Sequence, residues 1–227
     1  MSAEAQTLAS RNAHAKTAFS WEGEDLIVHK VAVDVLGIKE GIYIDVGAHH
    51  PHAMSNTQYL YDRGWHGINI DAMPGSMEPF KIMRPRDINL EVGIARHPGQ
   101  LEYSMFSNPS LNGFLTDDVV RTQVARGSEL LGQIVVEVQT LSAVLEAHAI
   151  DQVDFLTIDA EGLDEEIFKS LDLTRWRPRL VMMEILGASD VISVQSSSTN
   201  RLMTENNYTL YSRMHFSALY MDRALLA

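Results

Sequence analysis

Two short apolar runs, Tyr43-Ile44-Asp45-Val46-Gly47-Ala48-His49 and Ile68-Asn69-Ile70-Asp71, constrain this chain more than any other feature. Each reads as a strand that carries a carboxylate to its end. The first breaks at Gly47, where the lack of a Cβ lets the backbone come close to a ligand. The second ends in Asp71, placed to accept hydrogen bonds from ribose hydroxyls. Together they read as two strands serving one nucleotide-like ligand. A strand followed by a glycine turn is also shared by plain strand-loop-helix packing, so the rest of the chain has to decide.

The chain of 227 residues fits one substantial domain with its own core. A formal charge of −12 and a pI near 5.1 disfavour a nucleic-acid partner, whose phosphates bind clustered Lys and Arg. Arg84 and Arg86 are too few to reverse that. The absence of cysteine removes disulfides, thiolate nucleophiles and zinc-thiolate sites, and is compatible with a reducing cytoplasm. No run of about 18 apolar residues and no basic-then-apolar N-terminal signal is present, so membrane insertion and secretion are not expected. The reading is a cytoplasmic protein.

Residues 1–19 are small and polar and read as a mobile tail, with the folded part, 20–227, starting near Ser20. Leu26, Ile27, Val31 and Val35 predict a helix from Glu24 to Leu36, stopped by Gly37. Ser55 and Gln58 form a capping-box pattern ahead of a helix that ends at Gly64. Gly67 to Asp71 is the second strand, Ser76 to Met83 a short helix, and Asp87 to Ile94 a third strand before the Pro98-Gly99 turn. Leu101 to Phe106 adds a hairpin strand. Residues 107–133 lack periodicity and read as a lid or loop on the substrate side. Ile134 to Val138 looks extended, and Leu141, Val144, Leu145 and His148 fall at helical spacing. Val153 to Ile158 is a strand running into Asp159, followed by a helix through Leu163, Ile167 and Leu171. Leu180 to Ile185 is the next strand, Thr199 to Glu205 a helix, and Tyr208 to Ser212 with Ser217 to Met221 a closing antiparallel pair. The alternation predicts an α/β, mostly parallel, doubly wound sheet with a terminal antiparallel strand pair.

In such a sheet ligands bind beyond the carboxyl ends of the strands. Asp45, Asp71, Asp159 and Glu184 all lie at strand ends, with Glu161 in the loop beyond. Singly, each reads equally well as a loop carboxylate or a helix cap. Trp21, Trp65 and Tyr61 read as core packing or as a shield over the ligand.

The chain resembles the FkbM-type S-adenosylmethionine-dependent methyltransferases from about Ser20 to Ile185. The resemblance rests on Gly23-Glu24-Asp25, Tyr43 to Pro51, Ser55-Asn56-Thr57, Gly64-Trp65 with Ile68 to Asp71, Arg84-Pro85 with Asp87 to Leu90, and Asp154 to Gly162. Trp21 stands where members often have glutamine. The resemblance implies a Rossmann-like class I methyltransferase fold and S-adenosylmethionine as cofactor. It also implies hydroxyl acceptors on glycans, glycosylated compounds or natural products. By the same resemblance Asp45, Gly47, Ala48 and His49 line the methionine and ribose part, and Asp71 with Ala72 holds the ribose. Asn56 and Thr57 face the cofactor carboxylate from a helix start, simple capping being the alternative. Asn89 and Glu91 to Gly93 lie where the third strand reaches the adenine.

An alcohol acceptor needs a general base or a stabilising cation. Asp159, Glu161 and one histidine are the catalytic candidates. His50 sits beside the expected methyl donor, and His215 lies in a turn that emerges at the same sheet edge. Asp159 and Glu184, projecting from neighbouring strands, would suit a hard divalent cation such as Mg2+. Pairing of Glu184 with a helix end or an arginine is the alternative. The expected partner is a small-molecule or glycan acceptor, and a homo-oligomer is left open. The rival enzyme is a nicotinamide-dependent oxidoreductase, which the missing second and third glycines of the Gly47-Ala48-His49-His50-Pro51 turn disfavour. The rival of another class is a non-catalytic ligand-binding protein on the same fold.

Overall fold

The computed structural model describes residues 15–185, 187–188 and 190–226. Most of the expected N-terminal tail, residues 1–14, lies outside them. From Phe19 the chain is fastened: its amide donates to Asp25 and its carbonyl accepts from the Ser55 amide at 3.1 Å. Helix α1 (Glu24–Lys30) follows and relaxes into a wider π-turn over Val31–Val35 before Gly37, whose φ of +71° ends it.

The main sheet is built from β1 (Ile42–Val46), β2 (His66–Asp71), β3 (Ile88–Glu91), β7 (Phe155–Ile158), β8 (Leu180–Glu184), β9 (Tyr208–Arg213) and β10 (Ser217–Asp222). Its order is β3-β2-β1-β7-β8-β10-β9. The first five strands are parallel, and β10 pairs antiparallel with both β8 and β9. This is the expected mostly parallel sheet with a closing antiparallel pair. The chain winds outward from β1 to β3 and returns to the other side of β1 at β7. The strand order therefore reverses between β1 and β7, which opens a crevice at their carboxyl ends.

Both faces of the sheet are covered, which is why β1 and β7 are apolar almost throughout. On one face Tyr43, Phe155, Leu180 and Leu219 pack with Val28 and Val31 of the first helical segment and with Leu60 and Trp65. Leu60 belongs to α2 (Gln58–Tyr61). On the other face Ile44, Val46, Leu156 and Ile158 pack against α5 (Leu141–Ala147) and α6 (Asp164–Lys169). The Ser55 side chain accepts from the Gln58 amide at 3.1 Å, one half of the expected capping box. Gln58 does not complete it, because its side chain turns to Asp62 and Arg84.

The third predicted strand is in fact two. After β3 the chain leaves the main sheet at Val92, and β4 (Gly93–Ile94) joins β6 (Leu130–Gln139) in a separate sheet of order β4-β6-β5, with β5 spanning Gly99–Phe106. Gly93 permits the transfer, since a Cβ there would stand 2.6 Å from the Phe114 ring and 2.7 Å from Val138. The predicted loop over 107–133 contains α4 (Asp117–Ala125) and the start of β6. The remaining helices are α3 (Met77–Met83), α7 (Val191–Ser196) and α8 (Ser198–Glu205).

Candidate active site

A cavity of about 670 Å³ opens at the crevice between β1 and β7, within the size range of small-molecule sites. Its floor is Asp45, Val46, Gly47 and Ala48 from β1 and the turn after it, and Asp159 and Ala160 from the end of β7. Asp71 and Ala72 close one side, and Glu184 with Ser217 the other. Residues 109–114 form the roof, with Gln123 and Arg126 beside them. That roof belongs to the segment expected as a lid.

Gly47 serves the floor differently from its first reading. A Cβ there would stand 1.8 Å from the Asp159 carbonyl oxygen, and its φ is +82°. The glycine therefore lets β1 and β7 close together as well as facing the cavity. Beyond it the turn is fixed by amides: Gly47 and Ala48 both donate to the Ile70 carbonyl, and His49, at a φ of 53°, donates to Asp71 at 2.9 Å. The other Asp71 oxygen accepts from the Met73 amide at 2.8 Å. A carboxylate offers about four lone-pair sites, so Asp71 keeps acceptor capacity toward the cavity. Burial raises its pKa, and the Met73 and His49 amides oppose the rise.

Asp45 is 4 % exposed and accepts from the Thr57 hydroxyl at 2.7 Å. Burial pushes its carboxyl up to about 6, against the pull of Thr57 and of the Arg84 guanidinium, while Asp159 and Asp87 add to the rise. Thr57 is thus a prop beneath Asp45 and does not line the cavity, whereas Asn56 does, with its amide 3.4 Å from the Thr157 hydroxyl. Behind Thr57 lies Arg84, fully buried. It donates to the Pro51 carbonyl, Gln58, Tyr43, Thr57 and Ser55, and stands 3.6 Å from Asp87. Tyr43 also donates to Asp87.

Asn89 is placed away from the cavity. Its amide donates to the Arg84 and Asp87 carbonyls and its oxygen accepts from Asn69, so it joins β3 to β2 internally. Val92, Gly93 and Ile94 occupy the cavity wall there instead.

On the far side four carboxyls converge. Burial, then Glu24, raises Asp159; burial, then Asp159, Glu161 and Asp164, raises Glu184. Glu161 is pushed up to about 7, first by burial and then by Asp159 and Asp164. Asp164 reaches about 7 through burial and then Asp159, although it accepts from the Ala160 and Gly162 amides and does not line the cavity. Asp159 just after β7 and Glu184 at the end of β8 lie on adjacent paired strands, as the sequence reading required. Among the described residues no group of three or more His, Asp or Glu has metal-holding geometry, and two carboxylates leave a hard divalent ion short of protein oxygens. The Mg2+ expectation therefore finds no support in this donor set.

Neither candidate histidine reaches the cavity. The His50 Nδ1 accepts from the His52 and Ala53 amides, which holds the ring in its own turn. Burial, then His49, His52 and Arg84, lowers its pKa. His215 packs edge-on against Phe216, and it is Phe216 and Ser217 that face inward. Trp65 and Tyr61 are core residues, while Trp21 stands 70 % exposed at the cavity rim.

Two cavity residues were not among the site candidates. Glu24, part of the Gly23-Glu24-Asp25 block of the resemblance but assigned no role by it, is buried with its carboxylate accepting from the Glu22 amide. Tyr103 comes from the separate small sheet, which the strand pattern does not connect to the crevice.

No curated relative matches the chain at a significant level. Among solved structures it is similar to a TehB-like SAM-dependent methyltransferase from Corynebacterium glutamicum, at 11 % identity and a TM-score of 0.43 over 97 % of this chain and 95 % of that one. It is also similar to a precorrin-6y C5,15-methyltransferase from Geobacter metallireducens, at 12 % identity and a TM-score of 0.38 over 86 % and 85 %. These likenesses are too distant to carry an argument. The Methyltransferase FkbM domain, by contrast, matches residues 45–210, from the buried carboxylate of β1 into β9, and the chain belongs to that methyltransferase family.

Proposed function

We propose that the cavity binds S-adenosylmethionine and that the protein transfers its methyl group to a hydroxyl of a glycan, a glycosylated compound or another natural product. The observation that carries this reading is Asp71. Its carboxylate is oriented by two backbone amides and still has acceptor capacity toward the cavity, which suits a ribose diol. Asp45, on the neighbouring strand, suits the charged methionine part. The Gly47-Ala48-His49 turn spends its amides on Ile70 and Asp71, so it offers no amide nest for the pyrophosphate of a dinucleotide.

When bound, the cofactor supplies an electrophilic methyl group on a sulfonium. The residues of the floor and roof would hold donor and acceptor together, and much of the acceleration of such a displacement would come from that positioning. Glu161, with its carboxyl near 7, is the group suited to take the acceptor proton near neutral pH. Burial and the Asp159 charge favour the neutral form of Glu184, which disfavours two charges at this end of the cavity. Trp21 and Phe216 at the rim give the acceptor an apolar face.

Calorimetry with S-adenosylhomocysteine tests the donor half. Saturable uptake by the wild type, with none for NADH, is expected; the reverse pattern overturns the reading. For the acceptor half, Glu161→Gln is expected to lower kcat at least about a hundredfold while S-adenosylhomocysteine still binds. Undiminished turnover removes Glu161 as the base.

A further inference from the structure

Tyr103 lies on β5, outside the main sheet, yet it faces the cavity and is only 6 % exposed. Its ring packs edge-on against Phe114 with centroids 5.1 Å apart. The next residue, Ser104, exchanges backbone hydrogen bonds with Gly113 at 2.9 and 3.2 Å. The ring is thereby held between β5 and the roof segment. Its hydroxyl nevertheless has no hydrogen-bond partner among the described residues, and the charges that act on it are Asp71 and Glu161. A tyrosine that lines the cavity and has no protein partner for its hydroxyl can give its O–H to a ligand bound there.

We propose that Tyr103 is a donor-binding residue whose hydroxyl shares the cofactor ribose with Asp71. The inference rests on the S-adenosylmethionine reading and deepens it. A ribose hydroxyl both donates and accepts, so it can give its proton to the Asp71 carboxylate and receive one from Tyr103. Burial and the two nearby carboxylates raise the phenol pKa, so the group is an O–H donor at neutral pH. Asp71 alone is an acceptor, and the pair is complementary to a diol in a way that either residue alone is not. The small sheet thereby brings a donor to a ribose that the main sheet meets only with an acceptor. Because Ser104 is tied to Gly113, the same contact couples the roof to the bound cofactor.

The molecule contains its own control. The Tyr220 hydroxyl is buried without a partner among the described residues, but Tyr220 lies on β10 and does not line the cavity. Titration of S-adenosylhomocysteine, with no acceptor present, into wild type, Tyr103→Phe and Tyr220→Phe reads the proposal directly. Tyr103→Phe is expected to bind about tenfold more weakly, equivalent to about 1.4 kcal/mol, with Tyr220→Phe within about twofold of wild type. Ligand-free melting of Tyr103→Phe should match the wild type. Equal affinity for Tyr103→Phe, or an equal loss for Tyr220→Phe, overturns the proposal. A loss confined to acceptor turnover also overturns it, by assigning the hydroxyl to the acceptor beside Glu161. A wild type that takes up no S-adenosylhomocysteine removes the donor reading and this inference with it.

Discussion

The Thr57 hydroxyl bonds Asp45 at 2.7 Å in a nearly buried site, and it is the strongest pull holding that carboxyl near 6 against the push of burial. Thr57→Val removes the bond with little change in shape. The carboxyl then rises further, and the acid limb of S-adenosylhomocysteine affinity should move to higher pH. Titrations between about pH 5 and pH 9 check this, and an unmoved limb would mean that Asp45 ionisation does not govern binding. The sequence showed Thr57 beside a helix start and Asp45 at a strand end, but not that one supports the other. Twelve positions of chain separate them, and only the packed loop brings them together. The histidines make the same point in reverse. His50 has the chemistry of a base, but its Nδ1 is occupied by two amides of its own turn, a local bond that residue type does not announce.

Arg84 acts at the scale of elements. It ends α3, and its guanidinium ties the 51–58 segment to β1 while Asp87 leads into β3. Arg84→Met leaves Asp87 buried with less compensation, and is expected to cost about 3–5 kcal/mol in urea unfolding. Adding Asp87→Asn should recover part of that loss, since the neutral amide no longer needs a counter-charge. A single variant as stable as the wild type would refute the role. The strands of the main sheet were legible because burial on both faces writes continuous apolar runs. Helix α4 was not, because of its valines only Val120 is buried while Val119 and Val124 are 41 % and 47 % exposed, leaving no apolar stripe. The break at Val92 was hidden for another reason: Ile88 to Ile94 alternates apolar and other residues without interruption, whichever sheet each part joins.

Over the whole molecule the raised carboxyls set the response to pH. Asp45, Asp159, Glu161, Asp164 and Glu184 all hold a proton more tightly in the folded chain than in the unfolded one. Between the ordinary carboxyl range and about 7, where Glu161 and Asp164 titrate, the folded chain therefore binds more protons than the unfolded one. Stability falls as pH rises through that window. Carboxylates held low by partners, such as Glu166 and Asp190, act in the opposite sense, and do so only at more acid pH. Melting of the ligand-free protein is expected to be higher near about pH 5.5 than near about pH 8, and the opposite order would contradict this origin. The sequence by itself determined the alternation of strands and helices, the main-sheet strands and the acids at their ends, because side-chain period and strand-end chemistry are local properties. Tertiary structure alone decided which of those acids share a desolvated cavity, that Thr57, Asn89 and His50 serve the scaffold around it, and that Tyr103 of a separate sheet reaches it. Those outcomes depend on contacts between residues far apart in the chain, which no local pattern records.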